Sequence, residues 1–468
     1  MTILLTHGYF IAEDAKEQAI MRPYVPLGIL YISAYLEQQG YENEVFDSTF
    51  SSFDALCDRL LQVRPQVVGL YTNLMTKLNI IRIIRFIKTH PALHGTRVVL
   101  GGPEVRNHIQ KFLEQGADFI VLGEGEQTML ELVQCIDGKG TLHEIDGIAY
   151  GQQQNRERTQ LKNLDALPFP NRHKVDMDLY LKAWKEKHGA STMSISTMRG
   201  CPYSCKWCSR AVYGQSYRRR SPVNVVDEIA LIKAQYNPDS IWFVDDVFTI
   251  SHQWLSAFTQ EITRRHLVMP YECITRADRM NERVIINLKK SGCFRVWIGA
   301  ESGSQKVIDL MDRRVEVKQV QQMIRLARQH GLQAGTFIMV GYPGETQEDI
   351  YATVQHLKNA NPDLFTITVA YPIKGTPLYT EVESRFITQL PWDNSTDRDI
   401  DFERTYNRRY YDYAIQMINY EVNYHKALQK PVANLFRLPV LKLRSTWAKG
   451  KMWIWARKSL NNHTVLAG

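Results

Sequence analysis

No run of eighteen successive apolar residues occurs in the chain, so no transmembrane helix is expected, a bilayer span needing about twenty. The first residues, Met-Thr-Ile-Leu-Leu-Thr-His-Gly, read as a strand and lack the basic stretch and long apolar run of a secretory signal. A cytoplasmic protein is expected, in a compartment where thiols stay reduced. Cysteine is scarce, seven in 468 residues, which excludes a disulfide-stapled scaffold and leaves metal binding or catalysis to any cysteines that cluster. No G-x-G-x-x-G opens the first helix, which argues against a dinucleotide-binding Rossmann domain. Residues 1–400 carry no surplus of either charge, 45 basic side chains facing 45 acidic ones.

Three of the seven cysteines do cluster. Cys201, Cys205 and Cys208 lie in Arg199-Gly-Cys-Pro-Tyr-Ser-Cys-Lys-Trp-Cys-Ser209, a C-x3-C-x2-C spacing on one short loop that Gly200 and Pro202 bend. A structural zinc site closes with four ligands in two pairs, and no second pair stands at suitable spacing. A [4Fe–4S] cluster takes cysteine thiolates and wants four. Three leave one iron open to bind something that reacts. Cys57, Cys135, Cys273 and Cys293 are scattered among apolar residues and are read as small buried hydrophobes.

At 468 residues the chain exceeds what one core organises, so two or three domains are expected. Residues 1–150 alternate short β-branched runs (Ile3–Leu5, Glu44–Phe46, Val67–Tyr71, Arg97–Leu100, Phe119–Leu122) with helix-length segments such as Leu27–Gln39. The pattern predicts a doubly wound parallel sheet covered by helices. Glycines follow the fourth and fifth strands, at Gly101, Gly102, Gly123 and Gly125, where ligands of such sheets sit. Residues 151–190 carry no clear period and are read as a linker. From 191 to 400 six further strands (Ser194–Thr197, Ile241–Val244, Glu272–Thr275, Arg295–Ile298, Thr336–Val340, Phe365–Val369) alternate with helices, a partial (β/α)6 barrel with its chemistry expected at the carboxyl ends of the strands. Residues 401–468 form a basic helical extension, twelve basic side chains against four acidic, with Trp447, Trp453 and Trp455 interleaved. Such a segment suits an anionic membrane surface or an acidic substrate. The alternative is a solvated helical cap on the enzyme.

The cysteine loop, with an aromatic residue before its last cysteine, resembles the signature of the radical S-adenosylmethionine (SAM) enzymes. Pro26-Leu-Gly-Ile-Leu-Tyr-Ile-Ser-Ala-Tyr-Leu36, Val99-Leu-Gly-Gly-Pro103, Val121-Leu-Gly-Glu-Gly-Glu126, Phe243-Val-Asp-Asp-Val-Phe248 and Gly299-Ala-Glu-Ser-Gly303 agree with it in order and spacing. Together they resemble the radical SAM family with an N-terminal cobalamin (B12)-binding domain, which contains the anaerobic magnesium-protoporphyrin IX monomethyl ester cyclase and class B methylases. The resemblance implies a cluster on Cys201, Cys205 and Cys208 whose open iron chelates SAM, and reductive cleavage to a 5'-deoxyadenosyl radical. It implies SAM contacts from Trp207, Asp245, Glu301, Ser302 and Gly341. Arg276 either pairs the SAM carboxylate or salt-bridges Asp278 or another barrel acid. Of Asp245 and Asp246, adjacent on an extended chain, only one is expected to face the site. Cobalamin is implied at Thr72, Asn73, Gly101, Gly102 and Glu124. The chain departs from the Asp-x-His-x-x-Gly pattern whose histidine ligates cobalt, as many radical SAM relatives do, so any corrin is expected without that ligand.

The expected reaction is hydrogen abstraction from an unactivated carbon, ending in methylation or in oxidative cyclisation or rearrangement of a small anionic, lipid-like or tetrapyrrole compound. A reductant protein such as flavodoxin or ferredoxin and contact with the inner membrane face through the tail are expected partners, and nucleic acid is not. A non-catalytic cobalamin or redox sensor would not need an open iron. A tRNA-modifying relative would bring extra N-terminal cysteines and a small C-terminal RNA-binding barrel, whereas the first domain here holds only Cys57 and Cys135.

Overall fold

The computed structural model describes residues 1–388, 390–429 and 432–465. It is an α/β protein of two compact units. The first comprises Met1–Pro202, Ser209–Trp242 and Leu390–Arg398, and the second Tyr203–Cys208, Phe243–Gln389 and Asp399–Gly468. Among the described residues no helix is long and apolar enough to cross a membrane.

The first unit is built on a seven-stranded sheet. Its strands are β1 (Ile3–His7), β2 (Glu44–Phe46), β3 (Val67–Tyr71), β4 (Arg97–Gly101), β5 (Phe119–Val121), β6 (Ile148–Tyr150) and β7 (Gln153–Gln154), in spatial order β2-β1-β3-β4-β5-β6-β7. The first five are parallel, and β6 and β7 close the edge antiparallel. The central strands are near-continuous apolar runs because helices cover both faces. Leu4, Val68, Leu70, Val98 and Leu100 are buried against Ile80, Ile84 and Ile87 of helix Lys77–Thr89. Gly69 on β3 makes room for Leu5, whose Cδ2 would lie 2.6 Å from an added Cβ. The order reverses direction between β1 and β3, and ligands of such sheets sit outside the carboxyl ends there.

Two strands of the later β/α series, β8 (Thr192–Ile195) and β11 (Ser240–Phe243), are neighbours, and β9 (Met198–Arg199) pairs antiparallel with β10 (Arg218–Arg219). Glu228 on helix Pro222–Gln235 is fully buried and salt-bridged by Arg172 (2.6 Å) and Arg220. Residues 390–398 return to this unit: Trp392 packs edge-on against Phe112 at 4.8 Å, and Lys77 Nζ donates to the Ser395 carbonyl at 2.7 Å. The expected linker holds a helix, Met177–His188, capped by Asp176 and ended by Gly189 at φ 78°. Its buried stripe is only Met177, Tyr180 and Trp184 among many charged side chains, too narrow to read as a period.

The second unit carries four parallel strands, β12 (Tyr271–Thr275), β13 (Cys293–Glu301), β14 (Gln333–Val340) and β15 (Leu364–Val369), in the order β15-β14-β13-β12. Helices Glu282–Lys290, Val317–Gln329 and Gln347–Ala360 connect or follow them. The register shifts between Gly299 and Glu301, so β13 ends on a bulge that re-aims its last side chains.

The basic tail is two helices, Arg408–Leu428 and Arg437–Val465. Leu441, Ser445, Ala448 and Met452 are buried, a single stripe at helical spacing. Glu421 anchors the pair: its carboxylate accepts from Lys358 Nζ (2.7 Å), Ser445 Oγ (2.6 Å) and Lys449 Nζ (2.7 Å). Burial pushes the Glu421 carboxyl up, but Lys358, Lys449 and Ser445 outweigh it and hold the pKa at about 2. A folded-state value below the ordinary one stabilises the fold at neutral pH and stops doing so as acid protonates the group. Glu421→Gln is expected to cost about 1.5–3 kcal/mol in urea unfolding at pH 7. The gap between variant and parent should be full above about pH 4.5 and shrink as pH falls towards 2.

Candidate functional site

In the first unit, Arg199 sets the start of the cysteine loop. Its guanidinium is buried and donates to Glu124 Oε1 at 2.9 Å and Glu126 Oε1 at 2.5 Å. Gly200 follows at φ +84°, and an added Cβ would lie 2.4 Å from Ser216 Oγ, so only glycine allows the turn. Glu124 is further bound by Arg218 Nη1 (2.7 Å) and by the Leu161 backbone N–H (2.9 Å). Burial pushes its carboxyl up, but the two arginines hold it below the usual range.

At the carboxyl end of β3, Thr72 is fully buried and its Oγ1 has no hydrogen-bond partner. Asn73 Oδ1 accepts from Met75 N (2.9 Å) and Thr76 N (3.0 Å), which opens helix Lys77–Thr89. Gly102 stands at φ +105°, its missing Cβ 2.4 Å from the Thr72 carbonyl, while Gly101 leaves ordinary space beside Val121. The backbone thus closes tightly on Thr72 at the carboxyl end of β3, a strand that borders the switch point, and leaves its hydroxyl unsatisfied. A buried polar atom of this kind is completed by a water or a ligand atom, and at the ligand edge of the sheet a polar group on a bound corrin would fit it.

The rest of the cysteine loop belongs to the second unit. Cys205 is buried and Cys208 exposed, while Cys201, just before the boundary, is half-buried; no disulfide is formed among the described residues. Cys57, Cys273 and Cys293 are buried and Cys135 is partly so. Among the described residues no three acidic, histidine or cysteine side chains converge on one metal ion. An iron–sulfur cluster does not require that, because each thiolate meets a different iron. Cys205 Sγ accepts from two guanidinium nitrogens, Arg276 Nη1 and Arg313 Nη1, each at 3.7 Å. Two cationic donors on one sulfur suit a sulfur that carries negative charge, so the donor set fits a cluster ligand.

Arg276 and Arg313 bring the ends of the barrel strands to this sulfur, and the other candidate side chains have partners of their own. Arg276, only 1% exposed, donates to Asp278 Oδ1 at 2.8 Å, so the salt bridge to Asp278 is formed. Glu301 ends β13 in the left-handed region, at φ 66°, with Oε1 3.7 Å from Arg313 Nη2. Burial raises the Glu301 pKa, and Arg313 and Arg276 oppose the rise. Ser302 is buried with its hydroxyl turned to Thr353 Oγ1 (3.3 Å) and the Ser304 N–H (3.1 Å). Gly341 takes φ +77° after β14, and its N–H donates to Glu345 at 2.5 Å. Asp245 is buried and Asp246 exposed. Trp207 packs against the cluster of Val307, Met311 and Tyr342. Sequence reasoning missed Arg313 and Tyr203. Arg313 sits in a polar turn, Asp312-Arg313-Arg314, indistinguishable in sequence from a solvated one.

Residues 21–133 match the B12 binding domain and residues 195–357 the Radical SAM superfamily. The chain is 26% identical over 398 residues to an uncharacterized methyltransferase of Pyrococcus horikoshii, covering 83% of this chain and 85% of that one. It is 24% identical over 424 residues to the anaerobic magnesium-protoporphyrin IX monomethyl ester cyclase of Rubrivivax gelatinosus, covering 85% and 75%. The fold is shared with OxsB, a cobalamin-dependent S-adenosylmethionine radical enzyme solved with aqua-cobalamin, at TM-score 0.75 and 16% identity over 99% of this chain and 80% of that one. With both domains matched in order, and with the cysteine loop at the head of the second, the chain belongs to the radical SAM enzymes that carry an N-terminal B12-binding domain.

Proposed function

We propose that this enzyme methylates an unactivated carbon of an anionic, lipid-like or tetrapyrrole compound, with cobalamin on the first unit and a [4Fe–4S] cluster held by Cys201, Cys205 and Cys208. The observation that carries this reading is the partnerless Thr72 hydroxyl beside Gly102 at the carboxyl ends of β3 and β4, the ligand edge of such a sheet, in a domain of the B12-binding family. When bound, the cluster supplies the electron that splits SAM, and the corrin carries the methyl group.

The chain's own residues position and shield. The Glu301 carboxylate accepts from hydroxyl or ammonium donors of SAM, Gly341 leaves backbone groups open to the adenine edge, and Trp207 packs beside the adenine. Asp245 and Ser302 remain proposed contacts near SAM, Ser302 through the backbone it orders. Thr72, Asn73, Gly101 and Gly102 line the corrin side. Glu124 acts there indirectly, through Arg199 and the start of the cysteine loop. The electron comes from a reductant protein such as flavodoxin or ferredoxin.

The tail is proposed to bring the enzyme to the inner face of a membrane. Helix Arg437–Val465 has no acidic residue. Phe436 and Leu443 are 89% and 71% exposed, and Trp447 and Trp453 are exposed among Lys442, Arg444, Lys451 and Arg457. Each basic group near an anionic surface contributes on the order of 1 kcal/mol, so the helix supports reversible binding that salt weakens.

Three outcomes are expected. Anaerobic reconstitution should give about four irons per chain, with 5'-deoxyadenosine formed from SAM under dithionite, and the triple Cys201, Cys205 and Cys208→Ala variant should lose both; a full cluster in that variant would overturn the assignment. Hydroxocobalamin should stay with the protein through gel filtration at near-stoichiometric amounts and be lost from Gly102→Val, whose side chain would run into the Thr72 carbonyl; a parent protein that keeps none rejects the corrin. On sedimentation the protein should follow anionic vesicles at low salt and neutral ones far less, and a Leu443, Trp447 and Trp453→Ser variant should stay in solution. Equal behaviour of parent and variant leaves the tail as a cap.

A further inference from the structure

Arg276 and Arg313 are two buried cations aimed at one sulfur, and neither spacing nor motif in the sequence assigns them to it. Burying a guanidinium is costly unless anions meet it. Arg276 has Asp278 at 2.8 Å, and Arg313 has Glu301 at 3.7 Å and the Gly299 carbonyl at 3.2 Å. Each keeps one nitrogen, Nη1, for Cys205. Cys205 alone of the three cysteines is fully enclosed.

The segments that bear the arginines also mould the loop. The Arg276 guanidinium lies 3.7 Å from the centre of the Tyr203 ring, and Arg279 bonds the Tyr203 hydroxyl. Ser204 Oγ donates to Asp312 Oδ2 at 2.5 Å, the Lys206 N–H to the Met311 carbonyl at 3.1 Å, and Arg313 stands 5.9 Å from the Trp207 ring. Arg313 reaches its place by backbone strain: Asp312 and Arg314 on either side both have positive φ, 49° and 54°. Such conformations cost about 1–3 kcal/mol each and persist where surroundings demand them. Gly299 completes the fit, since an added Cβ would lie 2.4 Å from Arg313 Nη2.

We propose that Arg276 and Arg313 are positioning residues for the cluster: they fix the Cys205 thiolate and, by donating to its sulfur, make the cluster easier to reduce. This rests on the cluster reading above. Hydrogen bonds to cluster sulfurs and the charge around them set the reduction potential. Reduction adds one negative charge, which nearby cations in a low-dielectric surround stabilise. The electron comes from dithionite or from the reductant protein, and no bond at sulfur breaks.

The test is an EPR-monitored redox titration without SAM, on the full chain, comparing the parent with Arg313→Gln, Arg276→Gln and the two lysine variants. Each glutamine variant should reduce at least tenfold less favourably, a midpoint about 59 mV more negative for a one-electron step, at unchanged iron content. The lysine variants, keeping the charge, should recover part of the shift. A glutamine variant with the parent's melting temperature that no longer loads iron also supports the positioning role. Full loading with an unmoved midpoint in all four variants overturns the proposal; if a separate SAM-binding titration of those variants then shows weaker binding, the arginines are carboxylate ligands instead. A parent chain that binds no cluster would instead refute the reading beneath it.

Discussion

Placing two guanidinium groups inside a protein is the constraint on which the arrangement of the second unit's site depends. A cation removed from water must be met by anions and hydrogen-bond acceptors. Here the chain of partners runs Asp278, Arg276, Cys205, Arg313, Glu301, with both arginines buried. Arg276 and Asp278 come from the segment just after β12 and Glu301 from the end of β13, while Arg313 comes from the turn after the short helix Gln305–Leu310. The bulge at Gly299–Glu301 and the left-handed residues 301, 312 and 314 are deviations from regular structure, and they fall where that chain of charges has to be assembled.

The first unit meets a related demand with fewer charges. At the end of β3 the sheet leaves a hydroxyl unsatisfied and uses a glycine to bring backbone against backbone, Gly102 against Thr72. Parallel β/α layers leave strand ends and helix starts along one edge, and that edge is where orphan polar groups are tolerated. Both units therefore collect their candidate site residues at carboxyl ends of strands, for the same geometric reason. The charged groups of the first unit mostly pair internally, as Glu124 does with Arg199 and Arg218 and Glu228 with Arg172 and Arg220.

Legibility in the sequence tracks how local each feature is. Strands such as Val67–Tyr71 and helices such as Glu282–Lys290 are where the apolar pattern puts them, because burial on two faces or on one stripe leaves a mark within a few residues. The cysteine loop is legible because its chemistry is written in one short run. Helix Met177–His188 is hidden by its narrow stripe, and β6 and β7 by their brevity. The return of Trp392 to Phe112 and the approach of Arg313 to Cys205 are tertiary facts that no local pattern encodes. Glu124 shows the limit from the other side: a motif residue at a ligand-side loop whose carboxylate is taken up by two arginines.

The tail makes the same point about charge. Counting twelve basic side chains against four acidic ones does not say what they do, because one helix face and its opposite have different partners. Lys449 turns inward and, with Lys358 and Ser445, saturates the buried Glu421, which fixes the helix on the unit. Once Leu441, Ala448 and Met452 face inward, the helical period leaves Leu443, Trp447 and Trp453 exposed, Trp447 with one edge against the Tyr413 ring at 5.4 Å. Arg457 lies 3.7 Å over the Trp453 ring and Lys451 5.7 Å from Trp447, so cation and aromatic are presented together. The outward face thus mixes aliphatic, aromatic and basic side chains without a single acid, a segregation that the count of charges alone does not reveal.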